Sequence, residues 1–594
     1  MTVQSNAEKI EYKLNKCSDV YQKYPFLTHQ WYECAADRAD VKFIFEQLSK
    51  VPDEMKQLIL DNAFKLKERR ERNLYILHHT EKLVSLLPEK LRRSMATDDE
   101  GVRVIAQDCA ERCRRMALHH NVNGRVKPST AEPINEDFSY ATKRLEPLTE
   151  ICGSNSGETF RRLTEYAASF RIEAIKVTEK GVTELGAIKR MCDKNWWMRR
   201  LRKVFNQAYE QTAIELKLVH KYKQIYASDL TVKKRQQQRA YNEQMLSSMS
   251  VINDAGQRFS LKELSDLNVS NPAVRKAELM VRMRGFEELS KEHGHQGMFI
   301  TITCPSKYHA VYSKSGQPNP KYQHLTPYQA NQYLCGLWSR IRAQWNRKDI
   351  KPYGFRVSEP QHDGTPHWHI LLFVEPQHID EVKQVVSHYA LEEDGDEKGA
   401  AQNRCDFKLI DPEKGSATGY IAKYVSKNID GLGLDVGVYG ENPITAAQRV
   451  DAWASCWCIR QFQQIGGASV SVWRELRRLK TPLGLDDLFE KARIAADSSK
   501  WHDYINAMGG VFAKRKDQLL KLAYDASFNS DTGECKLGFY DGNIIQTVKG
   551  LMFKGKMIIT RFYSWRMEKA GTDVFTWSTV NNCTQSSMVR CKPS

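Results

Sequence analysis

The stretch "EPQHDGTPHWHILLF", residues 359–373, constrains the fold more tightly than any other part of this chain. Asp363-Gly364 is a turn signal between a segment ending near Glu359 and the run "PHWHILLF", so the chain is expected to reverse there as a β-hairpin. Alternate residues of a strand face the same side, which puts His367 and His369 together. The register of the hairpin then decides where Glu359 points. A two-residue turn at Asp363-Gly364 would pair Glu359 with Trp368 and direct the carboxylate away from the imidazoles. A three-residue loop, His362-Asp363-Gly364 with Gly364 in the left-handed position that such loops favour, instead pairs Glu359 with His367 and Val357 with His369. One carboxylate and two imidazoles on one face leave coordination positions open for water or a phosphate oxygen, as a catalytic metal ion requires. Gln361 and His362 stand as alternative ligands.

Further elements surround the hairpin. "MFITITCPS" (298–306) and "YGFRVSEPQ" (353–361) read as strands, and "TPYQANQYLCGLWSRIRAQWNRK" between them reads as a helix capped by Thr326 with Pro327 at its first position. After the hairpin come a helix "IDEVKQVVSHYALEE", a strand "RCDFKLID" and a helix "GSATGYIAKYVSKNID". This order predicts an α+β class, with a central antiparallel sheet and helices on one of its faces. Residues 1–285 are expected to be mainly α-helical and to serve DNA or partner binding, 286–482 to form the sheet-containing domain, and 483–594 to be helical to about residue 527 and then β. Within the first region, 195–226 ("NWWMRRLRKVFNQAYEQTAIELKLVHKYKQIY") and 232–245 ("VKKRQQQRAYNEQM") mix Lys and Arg with aromatic residues. That mixture suits phosphate contact with base stacking, and equally a solvated basic helix face.

Composition narrows the partner. The formal charge is +17, from 89 Lys and Arg against 72 Asp and Glu among 594 residues, and such a surplus favours a polyanion. Neither a long apolar run nor a signal-like start is present, so no membrane association and a cytoplasmic location are expected. The 14 cysteines are scattered, which suits reduced thiols. Cys109 and Cys113, followed by His119 and His120, and the pair Cys456 and Cys458 lack the spacing of a zinc ribbon and read as structural or incidental.

The helix "TGYIAKYVSKNID" carries the second half of the chemistry. At 100° per residue Tyr420, Tyr424 and Lys427 share one side with Lys423 alongside, while Ile421, Ala422, Val425 and Ile429 form a separate aliphatic stripe for the core. A tyrosine hydroxyl becomes a useful nucleophile when cations or a base favour its phenolate, and the lysines are expected to supply that charge. A metal-polarised phosphate, an in-line tyrosine oxygen and a departing 3′-hydroxyl together describe transesterification of DNA.

Three motifs in this order, "FITITCPS" (299–306), "PHWHILLF" and "GYIAKYVSKNID", resemble those of His-hydrophobic-His single-strand endonucleases that initiate rolling-circle replication, and more narrowly the phage replication gene A proteins. The resemblance spans about 130 residues. It implies Mg²⁺ or Mn²⁺ held by His367, His369 and Glu359, nucleophiles at Tyr420 and Tyr424, and Lys423 or Lys427 as the helper lysine. It also implies a single-stranded or supercoiled origin DNA as substrate, nicked to a 5′-phosphotyrosine link and later rejoined, in the cytoplasm of a bacterial host. "GLMFKGK" (550–556) has the spacing of a phosphate-binding loop, but Met557 stands where Ser or Thr should be and the surroundings read as a hairpin. Unwinding is therefore expected from a host helicase, with the host replication machinery extending the free 3′ end. The competing readings are a relaxase or transposase with the same site, and a non-catalytic origin-binding protein.

Overall fold

Apolar residues three and four apart fill the early part of the chain, and there they form helices. The computed structural model describes residues 38–51, 53–92, 99–119, 156–178, 181–437, 439–529 and 532–569. It divides into two units, Met1–Thr212 and Ala213–Ser594. In the first, the described elements include α1 (Arg38–Leu48), α2 (Asp53–Ala63), α3 (Arg69–Leu86), α4 (Asp99–His119), α5 (Ser156–Ala168) and α6 (Glu184–Met191). Helix α7 (Lys194–Glu215) contains the boundary. Cys109 and Cys113 are buried free thiols on α4, and the Tyr166 hydroxyl donates to Cys109 Sγ at 3.7 Å. Cys456 and Cys458 likewise form no disulfide. His120 and the side chain of His119 lie outside the described residues.

The second unit opens with the end of α7 and a helix over Asp229–Ser248, and a short β-ribbon follows, β1 (Met249–Asn253) and β2 (Arg258–Ser260), inside the region expected to be mainly helical. Next come α8 (Pro272–Glu292), β3 (Gln296–Ile302), α9 (Pro327–Arg347), β4 (Tyr353–Pro360), β5 (Pro366–Val374), α10 (Ile379–Leu391), β6 (Cys405–Leu409), α11 (Ala417–Ile429), α12 (Pro443–Trp457) and β7 (Phe462–Ile465). Thr326 caps α9 through a capping box with Gln329, and Pro327 opens the helix. Five strands form one antiparallel sheet in the order β6-β3-β5-β4-β7. The mixed α+β class is as expected, with a fifth strand, β7, added at the edge.

Helices cover both faces of this sheet, rather than one. Phe299, Phe355, Val357, Leu371 and Phe373 pack with Phe286 of α8 and with Ile421, Val425 and Ile429 of α11. On the other face, Met298, Ile300, Trp368, Ile370 and Leu372 pack with Leu334, Trp338 and Ile341 of α9 and Val386 of α10. The reason lies in the strands: both alternating sets of β3 and β5 are apolar, so each needs a cover. The aliphatic stripe of α11 is its core face, as its spacing predicts.

Beyond β7, three helices lie between residues 470 and 507, and the chain then turns to strands at Leu520, earlier than the expected change near residue 527. β8 (Leu520–Ala526), β9 (Gln546–Phe553) and β10 (Lys556–Ile559) make a second antiparallel sheet, and β11 (Trp565–Lys569) pairs with β1 in a third. "GLMFKGK" runs from the end of β9 through a tight turn into β10, so a strand rather than a helix follows its glycines and the strand-loop-helix of a phosphate-binding loop is not formed. No helix among the described residues is long and apolar enough to cross a membrane.

Candidate active site at the hairpin and the tyrosine helix

The β4–β5 connection is the three-residue loop. Gln361 and Thr365 close it, with Gln361 N donating to Thr365 O at 2.8 Å, and Gly364 takes φ +84°. The loop is held from several sides: Trp453 Nε1 of α12 donates to Gly364 O at 2.7 Å, and Asp363 Oδ1 accepts from Thr365 N at 3.1 Å. Asp363 Oδ2 meets His309 Nδ1 at 3.0 Å. Burial alone would raise the Asp363 pKa, but the adjoining His309 outweighs it and holds the carboxyl down at about 2.

The loop sets the register: Glu359 pairs with His367 and Val357 with His369. Candidate ligand atoms of Glu359, His367 and His369 lie within 4.8 Å of one another, and among the described residues no other group of three His, Cys, Asp or Glu converges in this way. His362, considered as an alternative ligand, is not in the group; its buried ring faces Tyr439, 6.2 Å away between centroids. The backbone of Gln361 is engaged in closing the loop.

The two imidazoles are poised as neutral bases. Burial pushes His369 down to about 3, with the Lys427 charge adding to the effect. His367 is likewise held well below its usual value, by burial and then by His369, and its Nδ1 is buried without a hydrogen-bond partner. Thr301 of β3 lies opposite His369, and its Oγ1 is 3.1 Å from His369 Nδ1. In the tautomer whose Nδ1–H donates to Thr301 Oγ1, Nε2, 3.7 Å from Glu359 Oε2, carries the lone pair on the side of the carboxylate. Neutral nitrogen donors beside a carboxylate, with an orphaned buried ring nitrogen, fit a divalent cation. Thr301 was not singled out from the sequence; its place in the alternating "FITIT" run was the available signal.

Tyr424 projects from α11 onto this group. Its ring lies 4.1 Å from that of His369 and stacks on Phe299 at 5.2 Å. Tyr420, one turn earlier, packs edge-on against Phe299 at 4.6 Å and is 6.2 Å from Tyr424. Both tyrosines are half-buried. Burial raises the Tyr424 pKa, with Tyr420 and Glu359 adding to it, so in this arrangement the phenol keeps its proton.

The lysines are placed differently from the helical-wheel expectation. Lys427 is buried and donates to Glu359 Oε2 at 3.0 Å, because a carboxylate at 1% exposure demands a counter-charge. Asn428 donates to Glu359 Oε1. Lys423 is exposed on the same helix. The cation over the Tyr420 ring is Lys408 of β6, 4.7 Å from its centroid, a residue not anticipated from the sequence.

Comparison with known proteins gives these residues a family. The model of the bacteriophage replication gene A protein family matches residues 130–432, which include the hairpin and both tyrosines. The chain is 41% identical over 423 residues to the replication gene A protein of Escherichia phage 186, covering 67% of this chain and 60% of that protein. It is 41% identical over 408 residues to the probable replication protein P12 of Pseudoalteromonas phage PM2, covering 67% and 62%. To the replication protein of Haemophilus phage HP1 it is 38% identical over 421 residues, covering 68% and 52%. The chain thus matches a little over half the length of these relatives. No solved structure matches it. The chain belongs to the bacteriophage replication gene A protein family.

Proposed function

We propose that this chain is a site-specific endonuclease that nicks one strand of phage origin DNA to start rolling-circle replication, and that it rejoins the displaced strand. The observation that carries this reading is the seat of Tyr424, 4.1 Å from His369, beside a converging Glu359, His367 and His369. Relatives from prophage-like regions of Escherichia coli and Salmonella typhi carry the name probable replication endonuclease.

In the proposed reaction Glu359, His367 and His369 hold Mg²⁺ or Mn²⁺. Two nitrogen donors favour Mn²⁺, since Mg²⁺ prefers oxygen. When bound, such an ion polarises the scissile phosphate and offsets charge developing on it. The protein's own residues do the rest. A tyrosine Oη attacks phosphorus in line; the Oη–P bond forms and the P–O3′ bond breaks. The phenolic proton passes to solvent base, and the 3′-oxygen takes one up. Lys427 pairs with Glu359 and orients it, Lys408 faces Tyr420, and the exposed Lys423 contacts the DNA backbone. The second tyrosine attacks the regenerated origin in the same way, and the 3′-hydroxyl this frees attacks the first phosphotyrosine, so that a P–O3′ bond forms, the P–Oη bond breaks, the first tyrosine regains its proton and the displaced strand is closed. Origin DNA as substrate and a host helicase as partner belong to the same proposal.

The test incubates the chain with end-labelled single strands tiling the replicon that encodes it, with Mn²⁺, Mg²⁺ or EDTA, and resolves products on a denaturing gel. A metal-dependent protein–DNA adduct is expected, lost in Tyr420→Phe/Tyr424→Phe. Loss of cleavage with DNA binding retained is expected for His367→Ala and His369→Ala. An adduct that persists in the double tyrosine variant would sink the assignment. Cleavage without an adduct would point to attack by water, and binding without cleavage to an origin-binding protein.

A further inference from the structure

We propose that Asn428 is a positioning residue that couples the metal-holding carboxylate to the nucleophile helix. The inference rests on the reading of the site given above. Asn428 is 1% exposed, on the last turn of α11, and its side-chain amide spans two parts of the site. Nδ2 donates to Glu359 Oε1 and also to the backbone carbonyl of Tyr424, the latter at 2.7 Å. The amide oxygen accepts from Gln461 Nε2 at 3.3 Å, and the Gln461 carbonyl accepts from Ser358 N at 2.7 Å. Ser358 precedes Glu359 on β4. The connection is therefore a closed ring: strand to Gln461, to Asn428, to Glu359 and back to the strand.

Two consequences follow from this ring. A carboxylate has two oxygens, and with Asn428 holding Oε1, Oε2 is turned to the side of His369 Nε2, 3.7 Å away, where it also accepts from Lys427 at 3.0 Å and keeps a further lone pair. Asn428 thus selects which oxygen is offered to a cation. Through the Tyr424 carbonyl the same NH₂ group ties the carboxylate to the turn that carries the nucleophile, so a cation on Glu359 and the Tyr424 ring keep a fixed separation. Lys427 cannot replace it: its ammonium meets Oε2, and no hydrogen bond to the Tyr424 backbone is made by it among the described residues. Groups that orient metal ligands from behind typically contribute tenfold to a hundredfold to metal affinity or activity.

The test uses the full chain with Asn428→Leu, similar in volume and apolar, and Gln461→Met, which removes only the brace behind Asn428. Mn²⁺ binding is followed without DNA by electron paramagnetic resonance, folding by thermal melting in EDTA, and the adduct rate over a range of DNA concentrations. For Asn428→Leu the Mn²⁺ dissociation constant is expected to rise about tenfold. At saturating Mn²⁺ and DNA the adduct rate is expected to fall about tenfold, with the DNA concentration at half-maximal rate unchanged. Gln461→Met should move both quantities the same way by less. Wild-type Mn²⁺ affinity and wild-type maximal rate in a folded Asn428→Leu chain would overturn the proposal. Should that variant fail to fold, the same null result in Gln461→Met overturns it. If the wild-type chain forms no adduct at all, the nicking assignment fails, and the Mn²⁺ titration still decides whether Asn428 orients Glu359.

Discussion

His369 shows how one side chain's surroundings become a property of the whole protein. In the metal-free protein, burial, with the nearby Lys427, keeps its imidazole unprotonated down to about pH 3, whereas in an unfolded chain it takes up a proton near its ordinary value of 6.5. Between those values the unfolded state binds more protons, so stability rises with pH and is lost progressively as pH falls from 6.5 towards 3. The slope from this one group is about 1.4 kcal/mol per pH unit inside that window. Urea midpoints measured in EDTA at pH 7, 6 and 5 should therefore fall more steeply for the wild type than for His369→Asn; parallel curves would show that the imidazole is not held neutral by the fold. The place of Glu359 on the histidine face was readable from the sequence as one of two outcomes, because a three-residue loop pairs it with His367 and a two-residue turn turns it away. Thr301 and Asn428 were not, since their partners lie 68 and 69 residues away and only the assembled sheet and helix bring them together. Lys427 shows the limit of helical geometry: the wheel put it beside the tyrosines, and the need of a buried carboxylate for a counter-charge drew it to Glu359.

Among the elements, the hairpin loop has the sharpest sequence requirement. Gly364 sits at φ +84°, and a Cβ built there would lie 3.2 Å from the Tyr226 carbonyl oxygen. Gly364→Ala is expected to lose about 1–2 kcal/mol of stability from the left-handed backbone, and Gly364→Asn less, because Asn tolerates that region. Urea denaturation gives the stability, and Mn²⁺ titration reports whether the register still presents Glu359 to His367. An Ala variant as stable as the wild type would show that the loop does not depend on this conformation. The strands that escaped sequence reading were those whose local chemistry argues for something else. β8 reads "LKLAYDA", rich in good helix formers, and it is a strand because β9 offers it a partner. β7, "FQQI", is short, half-buried and lies at a sheet edge, so it has no alternation to detect. By contrast α9, α11 and the hairpin carry caps, stripes and turn residues that agree with their tertiary roles, and these were readable.

At the scale of the whole molecule, the +17 charge and the buried centre proposed for the reaction would make separable demands on DNA. Phosphate contacts made by exposed lysines and arginines release counterions, and each phosphate neutralised on a single strand adds about −0.7 to the slope of log affinity against log salt. The proposed metal ligands and Tyr424 sit among buried groups, where salt screens little. Raising KCl at fixed Mn²⁺ should therefore weaken initial binding steeply, while the adduct rate measured at saturating DNA changes little. Lys423→Ala should reduce the binding slope by about 0.7 if that exposed lysine meets a phosphate, and leave the saturated rate largely intact. Binding measured by fluorescence anisotropy and adduct formation measured on gels, over the same salt series, separate the two quantities. A saturated rate that falls with salt as steeply as binding does would mean that surface charge, rather than the buried centre, holds the scissile phosphate at the tyrosine.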